Sequence, residues 1–499
     1  MEPYPTFPTW SRRKFIGVTA SGIAGIVLAS LTGGCEGCLE KIKNRPIRRF
    51  LRTGEPLVDA DINIYKAAVS AMKALPASNP CSWEYQRLIH ANYCGSAHGS
   101  WHFFSWHRAY LFNFEQICRA QAGAGAENWG LPYWNWSNYP NFPTQFMGNA
   151  ANPLYDNSRN TMAVPAFDGI VGPTNLNNIL NLPDFTTFAG SNFSSGQLES
   201  GPHNYIHGYV CGNMCSVPTA ALDPIFYMHH CMVDYCWYEW NILRNHANTN
   251  DPAWQNHNYT GMFADKNCNP VDTSVLATIL MPLLSYQYEI SPVSSSISTE
   301  PFAGMNKSDF KKFQDIVQKG ASVSLDFKQR VEVAQRIQLN DQKAFSQPIR
   351  LEAAMLDQVM NVASDDRVLL TLEEMDAPTT SEYFVRVFLN LPNANTETPM
   401  DDPHYAGSFA FFAAGEAVHE GHDPQDKKKL TYIVDLTETV RRLKQGGEQL
   451  NPADLQLQFV PVPIDPQKGN QPFSLGISRA RLGISPIKIF RNTETVIEK

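Results

Sequence analysis

The stretch Arg87 to Gln116, RLIHANYCGSAHGSWHFFSWHRAYLFNFEQ, holds four of the chain's thirteen histidines, His90, His98, His102 and His107, in an aromatic and nearly uncharged setting. A second block follows, with His203 and His207 in GPHNYIHG and His229 and His230 in DPIFYMHHCMVDYCW. Imidazole suits copper, iron, nickel or zinc, and a helix presents two of them to one ion at spacing i, i+4. His203 and His207 have that spacing, and Pro202 marks the start of their helix. Neighbours on a helix point about 100° apart, so only one of His229 and His230 reaches the same ion. Phe226, His230, Val233 and Trp237 form one apolar stripe, which turns His230 inward and leaves His229 behind the ligands or facing substrate. Asp234, four residues after His230, is placed to accept a hydrogen bond from a ligand imidazole and fix its tautomer.

The first block must supply three more ligands. Spacing supports His90 and His107 more firmly than it decides between His98 and His102. His98 and His102 could share a helix face, yet Gly95 and Gly99 put His98 on an irregular loop. No cluster of Asp or Glu accompanies the histidines, as a bridged dizinc or di-iron hydrolase site requires. Six neutral nitrogen donors favour instead a redox copper pair that binds dioxygen between the ions.

Helices must hold these residues. Apolar spacing predicts helices over Asp59–Ala74, Trp83–His90 and Phe103–Ala120. Asp223-Pro224 opens another in the preferred way, a carboxylate cap before proline, and it runs to about Asn245. Between them, Asn128–Asn141 and much of Pro143–Gly201 are rich in Pro, Asn, Gly and Ser, the composition of irregular chain packed over a site. Beyond Ser291 the chain turns Ser-, Thr- and Pro-rich and then charged, which reads as a linker over residues 291–345. Six alternating segments follow, RVLLTLEEM, YFVRVFLNL, GSFAFFAAG, LTYIVDLTE, LQLQFVPVP and SPIKIFR. Their period of two predicts a β-sandwich over residues 346–499. The expected organisation is therefore a mainly α, helical-bundle domain over 45–290, the linker, and a smaller C-terminal β-sandwich.

Residues 1–44 stand apart. SRRKFIG sets twin arginines before the apolar run Ile16–Leu31, a Tat-type export signal that moves proteins already folded. The run is interrupted by Gly17, Gly22 and Gly25 and is shorter than the roughly 20 apolar residues a membrane span needs. Contact with a membrane is expected only during export, or through a lipid on Cys35. Export makes disulfides possible among ten cysteines, with no connectivity readable from spacing. At 499 residues the chain is too long for one ordinary core. Hydrophobic residues make up 43% and charged ones 18%, as in a folded globule, and a net charge of −8 gives no basic surface for nucleic acid.

Taken together, HANYC, HGSWHFFSWHRAYL, the HNYIH pair and DPIFYMHHCMVDYCW resemble the two copper-binding regions of the tyrosinase, catechol oxidase and hemocyanin family, the type 3 copper proteins. The resemblance covers roughly Arg45–Leu284, and YAGSF with LTYIVDLTETVRRL resembles the C-terminal domain of plant polyphenol oxidases more weakly. It implies one copper on His90, His98 and His107, a second on His203, His207 and His230, and no ligand role for His102. It also implies a thioether from Cys94 to His98. Glu199 and Asn204 match family positions that hold a water taking the proton of a monophenol. Met232 and Tyr235 depart from the HHxNVDRxW pattern, beside the ligand and not at it.

The activity implied is oxidation of o-diphenols to o-quinones by O₂, with ortho-hydroxylation of monophenols. The alternatives are an oxidase of diphenols alone and an oxygen carrier of the hemocyanin type. The C-terminal domain is expected to shield the coppers, with Phe409, Phe411, Phe412 or Met400 as the plug. His404, His419 and His422 read as solvated loop histidines.

Overall fold

The computed structural model describes residues 44–159, 169–290 and 322–490, with breaks at 326–328, 342, 350–352, 362–365, 413–428, 452–454 and 465–471. The stretch read as an export signal with Cys35, the stretch read as a linker as far as residue 321, and His419 and His422 lie outside the described residues.

Six helices frame the first half: α1 Pro56–Ala74, α2 Trp83–Tyr93, α3 Phe103–Ala122, α4 Asn204–Val210, α5 Ile225–Tyr238 and α6 Val275–Leu284. Several start where the sequence has a reason to start them. Pro56 begins α1, and the Ser82 hydroxyl accepts from Tyr85 N to cap α2, a contact worth about 1 kcal/mol. The Asp223 carboxylate accepts from Ile225 N at the head of α5, while Arg159 grips the same carboxylate. Two helices differ from expectation. Pro202 does not open its helix but lies inside a wide π-helical turn, Glu199–His203, that feeds α4. The α5 helix likewise widens over Glu239–Leu243. A proline cannot donate to the ladder, and widening the turn lets the chain pass it.

The α3 helix is buried along nearly its whole length and supplies much of an aromatic core. Phe114 stacks on Tyr227 of α5 at 3.6 Å between ring centroids, and the Tyr110 and Tyr227 hydroxyls meet at 3.0 Å. The irregular stretch 128–141 packs over this core through Trp129, Trp134 and Trp136, all buried.

Strands dominate the second half. Each of the six alternating segments contributes a strand, and these join others in two sheets. We number them β1 Gly190–Ser191, β2 Ser194–Ser195, β3 Ser322–Leu325, β4 Gln329–Asn340, β5 Phe345–Pro348, β6 Asp366–Met375, β7 Tyr383–Leu389, β8 Tyr405–Ala410, β9 Leu430–Asp435, β10 Gln456–Pro463 and β11 Ser474–Phe490. One sheet runs β1-β2-β9-β6-β11-β3, with β4 also on β11, and the other runs β8-β7-β10-β5. Side chains of both sheets, among them Leu370, Leu372, Leu482, Val385, Val387 and Phe459, share one apolar cluster.

Two of these strands, β3 and β4, lie inside the stretch read from its charge as a linker. Ala334, Ile337 and Leu339 are buried, while a register shift opposite Ala480–Arg481 interrupts the alternation that would have marked β4. The halves also share a ladder: Ser195 of the β1–β2 hairpin pairs in parallel with Tyr432 of β9. At Gly208 a Cβ would come within 2.5 Å of the Ser381 carbonyl, so only glycine permits this approach of the strand half to α4.

Candidate metal centre

His90 comes from the last turn of α2, His98 from the turn after Cys94–Ser96, and His107 from α3. His203 ends the wide turn, His207 sits on α4, and His229 and His230 sit on α5. These seven imidazoles form two groups, His90, His98 and His107, and His203, His207, His229 and His230. Within each group one ring nitrogen from each residue lies within 4.8 Å of the others. The groups face each other: His107 and His230 stack at 4.3 Å between centroids, and His98 lies 5.4 Å from His203. His102 is in neither group. Its ring packs 4.2 Å from His257, and its Nδ1 faces the Tyr259 hydroxyl at 3.3 Å.

Hydrogen bonds on the far side of the rings set the tautomers. His90 Nδ1 donates to the Val217 carbonyl at 2.9 Å, His107 Nδ1 to Phe103 at 2.8 Å, and His207 Nδ1 to Met214 at 2.7 Å. His98 Nδ1 meets the Glu199 carboxylate at 3.1 Å, and His203 Nδ1 donates to the Asn204 side-chain oxygen at 2.9 Å. With Nδ1 protonated, Nε2 is left as a lone-pair donor. The Nε2 atoms of His107 and His203 are buried without a hydrogen-bond partner, and those of His207 and His230 point at each other across 3.2 Å. Burial, then neighbouring rings, pushes His107, His203, His207 and His230 well below the ordinary imidazole value, and burial takes His229 down to about 3. Neutral, converging, otherwise unused nitrogen lone pairs fit a copper pair.

Phe226 packs between the groups, 4.2 Å from His230 and 4.7 Å from His90. Glu199 is buried and spends one oxygen on His98 Nδ1 and on Gly99 N at 2.8 Å, leaving its other oxygen without a partner. Asn204 turns its amide nitrogen to the Ala410 carbonyl at 2.9 Å and the Tyr432 hydroxyl at 3.3 Å, both in the strand half. Cys94 is buried and lies outside the two disulfides found among the described residues, Cys81–Cys268 and Cys211–Cys215.

Asp234 does not reach a ligand imidazole. It accepts from Arg108 Nε at 2.5 Å, Arg48 at 3.1 Å and the Tyr286 hydroxyl at 2.8 Å. Arg48 also pairs with Glu115 at 2.7 Å. Two buried guanidiniums claim the carboxylate, and a neutral ring cannot compete with them. Among the expected plugs, Phe409 and Phe411 belong to the core of the strand half, and Met400 packs near Gly169. Phe412 alone of them reaches the ligands, 3.9 Å from His207 and 5.2 Å from His98 between centroids. The carbonyls of Val217 and Met214 and the grip of Tyr432 on Asn204 leave no mark in the sequence, since every residue has a carbonyl.

Residues 80–179 and 148–243 match the family model described as the common central domain of tyrosinase. Tyrosinase HcTyr1 of Hahella sp. is 30% identical over 309 residues, 49% of this chain and 64% of that protein. The chain is similar to members of the tyrosinase and polyphenol oxidase family, and it spans 64% and 48% of the lengths of the two relatives that reach 30% identity. The chloroplastic latent form of polyphenol oxidase from Prunus armeniaca is 26% identical over 465 residues, covering 83% of this chain and 72% of that one. The solved structure of a latent aurone synthase (polyphenol oxidase) shares the fold, with a TM-score of 0.62 at 24% identity over 89% of this chain and 90% of that one. Residues 318–474 match a domain of unknown function, DUF7868. Tyrosinase-family relatives are dicopper proteins, and the two histidine groups here are able to bind copper.

Proposed function

We propose that the chain is a copper-dependent phenol oxidase that uses O₂ to convert o-diphenols to o-quinones, and that it also ortho-hydroxylates monophenols. His90, His98 and His107 hold one ion, and His203, His207 and His230 hold the other. The observation that carries this reading is the meeting of the two groups, with lone-pair nitrogens turned inward and each Nδ1 of five rings held from behind. The copper pair, when bound, supplies the redox chemistry between phenol and dioxygen. The protein's residues orient the rings, keep water away and take a proton. Glu199, with one buried carboxylate oxygen unused, is the group placed to accept the proton of a monophenol through a water. Asn204 has its amide nitrogen engaged by the strand half, which leaves Glu199 the larger share of that role.

Phe412 lying on His207 supports a shielding role for the strand half, which we read as a β-sandwich over residues 346–499. A thioether between Cys94 and His98 is part of the same reading, as is export through the twin-arginine signal. Two disulfides fit an oxidising destination. Assay of catechol and tyramine oxidation by the copper-loaded protein, before and after proteolytic removal of the strand half, tests the proposal. Quinone formation from catechol supports an oxidase, and its absence with both coppers bound favours an oxygen carrier.

A further inference from the structure

The Cys211–Cys215 disulfide closes a short loop between α4 and the residues that lead into α5. Two carbonyls that orient the metal centre come from this loop and the residues just after it. Met214, inside the loop, holds His207 Nδ1 at 2.7 Å, and Val217, two residues past it, holds His90 Nδ1 at 2.9 Å. One strap thus sets a ring in each histidine group. Its other side is anchored too: Asn213 N donates to Ser158 Oγ at 2.9 Å, and the Asn213 amide donates to Asp156 at 2.7 Å. Cys211 turns the chain with φ +46° and Gly212 follows at φ +57°, where a Cβ would meet the Ser158 carbonyl at 2.2 Å. A non-glycine residue in the left-handed region persists only when its surroundings hold it there. The disulfide supplies that hold. The second disulfide, Cys81–Cys268, ties the loop before α2 to a distant turn, with Cys81 contacting Asn79 and Asp265.

We propose that Cys211 and Cys215 are positioning residues for both coppers, acting through the carbonyls of Met214 and Val217. The inference rests on the dicopper reading. It is tested on the full-length protein with the double variant Cys211→Ser/Cys215→Ser and, as a control for disulfide loss in general, Cys81→Ser/Cys268→Ser. Copper affinity, read by competition with a chelator, is expected to fall about 10- to 100-fold in the first, as for loss of other partners of ligand histidines. It stays at the wild-type value in the control. In the metal-free protein, imidazole ¹⁵N spectra should show His90 and His207 fixed with Nδ1 protonated, and released to mixed tautomers in the first variant alone. If the double variant does not fold, Gly212→Ala, which keeps the disulfide but pushes the strap off Ser158, should give the same two changes. Wild-type affinity and tautomers in the strap variants, or equal losses in the control, overturn the proposal. A wild-type chain that binds no copper sinks the dicopper reading, while the tautomer spectra still decide the role of the strap.

Discussion

The two histidine groups share the strap of Met214 and Val217 but differ in their other supports. The first is held from within the helical half, by the carbonyls of Val217 and Phe103 and the carboxylate of Glu199. The second reaches across the molecule: Asn204 holds His203, and Ala410 and Tyr432 of the strand half hold Asn204. Phe412 of the same half lies on His207. The strand half can therefore act on the second group and on access to the centre while the first group keeps its own scaffold.

The largest effect expected is from the ligands themselves. His107→Ala and His207→Ala, one from each group, should each leave fewer than two coppers per chain and reduce phenol oxidation to background, read by metal analysis and quinone absorbance. Activity surviving in either would break the equivalence of the groups. Next comes Asp234→Asn, which takes a carboxylate partner from the buried guanidiniums of Arg48 and Arg108. It should cost about 3–5 kcal/mol in denaturant unfolding, the usual result of removing one partner of a buried pair. Burial opposes the Asp234 charge, yet Arg108 and Arg48 hold its carboxyl below the ordinary value. Its contribution is thus fully present above about pH 4, the unfolded carboxylate value, and is lost as pH falls through the lower folded value. The gap between wild type and variant should close in acid.

Glu199→Gln should lower monophenol hydroxylation by roughly 100-fold or more, the scale of a lost general base, with a smaller effect on diphenols. Equal losses on both substrates would reduce Glu199 to the partner of His98. Phe412→Ala should raise catechol oxidation several-fold without changing copper content, and no rise would remove the shielding role. The smallest effect belongs to Tyr432→Phe, which deletes two long neutral hydrogen bonds, to Asn204 and to the Ala410 carbonyl, of about 1 kcal/mol each at most. It should shift the monophenol rate slightly and leave the first group untouched.

The sequence carries the helices and the ligand rings because both are written in side chains: apolar spacing marks α1, α2 and α3, and Gly95 and Gly99 mark the loop of His98. It carries the six strands beyond β5 for the same reason. It hides β4, where charged residues and a register shift break the period, and it hides the strap, whose working atoms are backbone carbonyls. Asp234 misleads because its spacing from His230 is right for an imidazole partner, while Arg48, nearly two hundred residues away in sequence, takes its place in space.

The most direct test of the account is the copper content of the purified full-length chain beside that of its His107→Ala and His207→Ala variants. The account predicts two ions per wild-type chain and fewer than two in each variant. One ion or none in the wild type, or two ions retained in either variant, would contradict it.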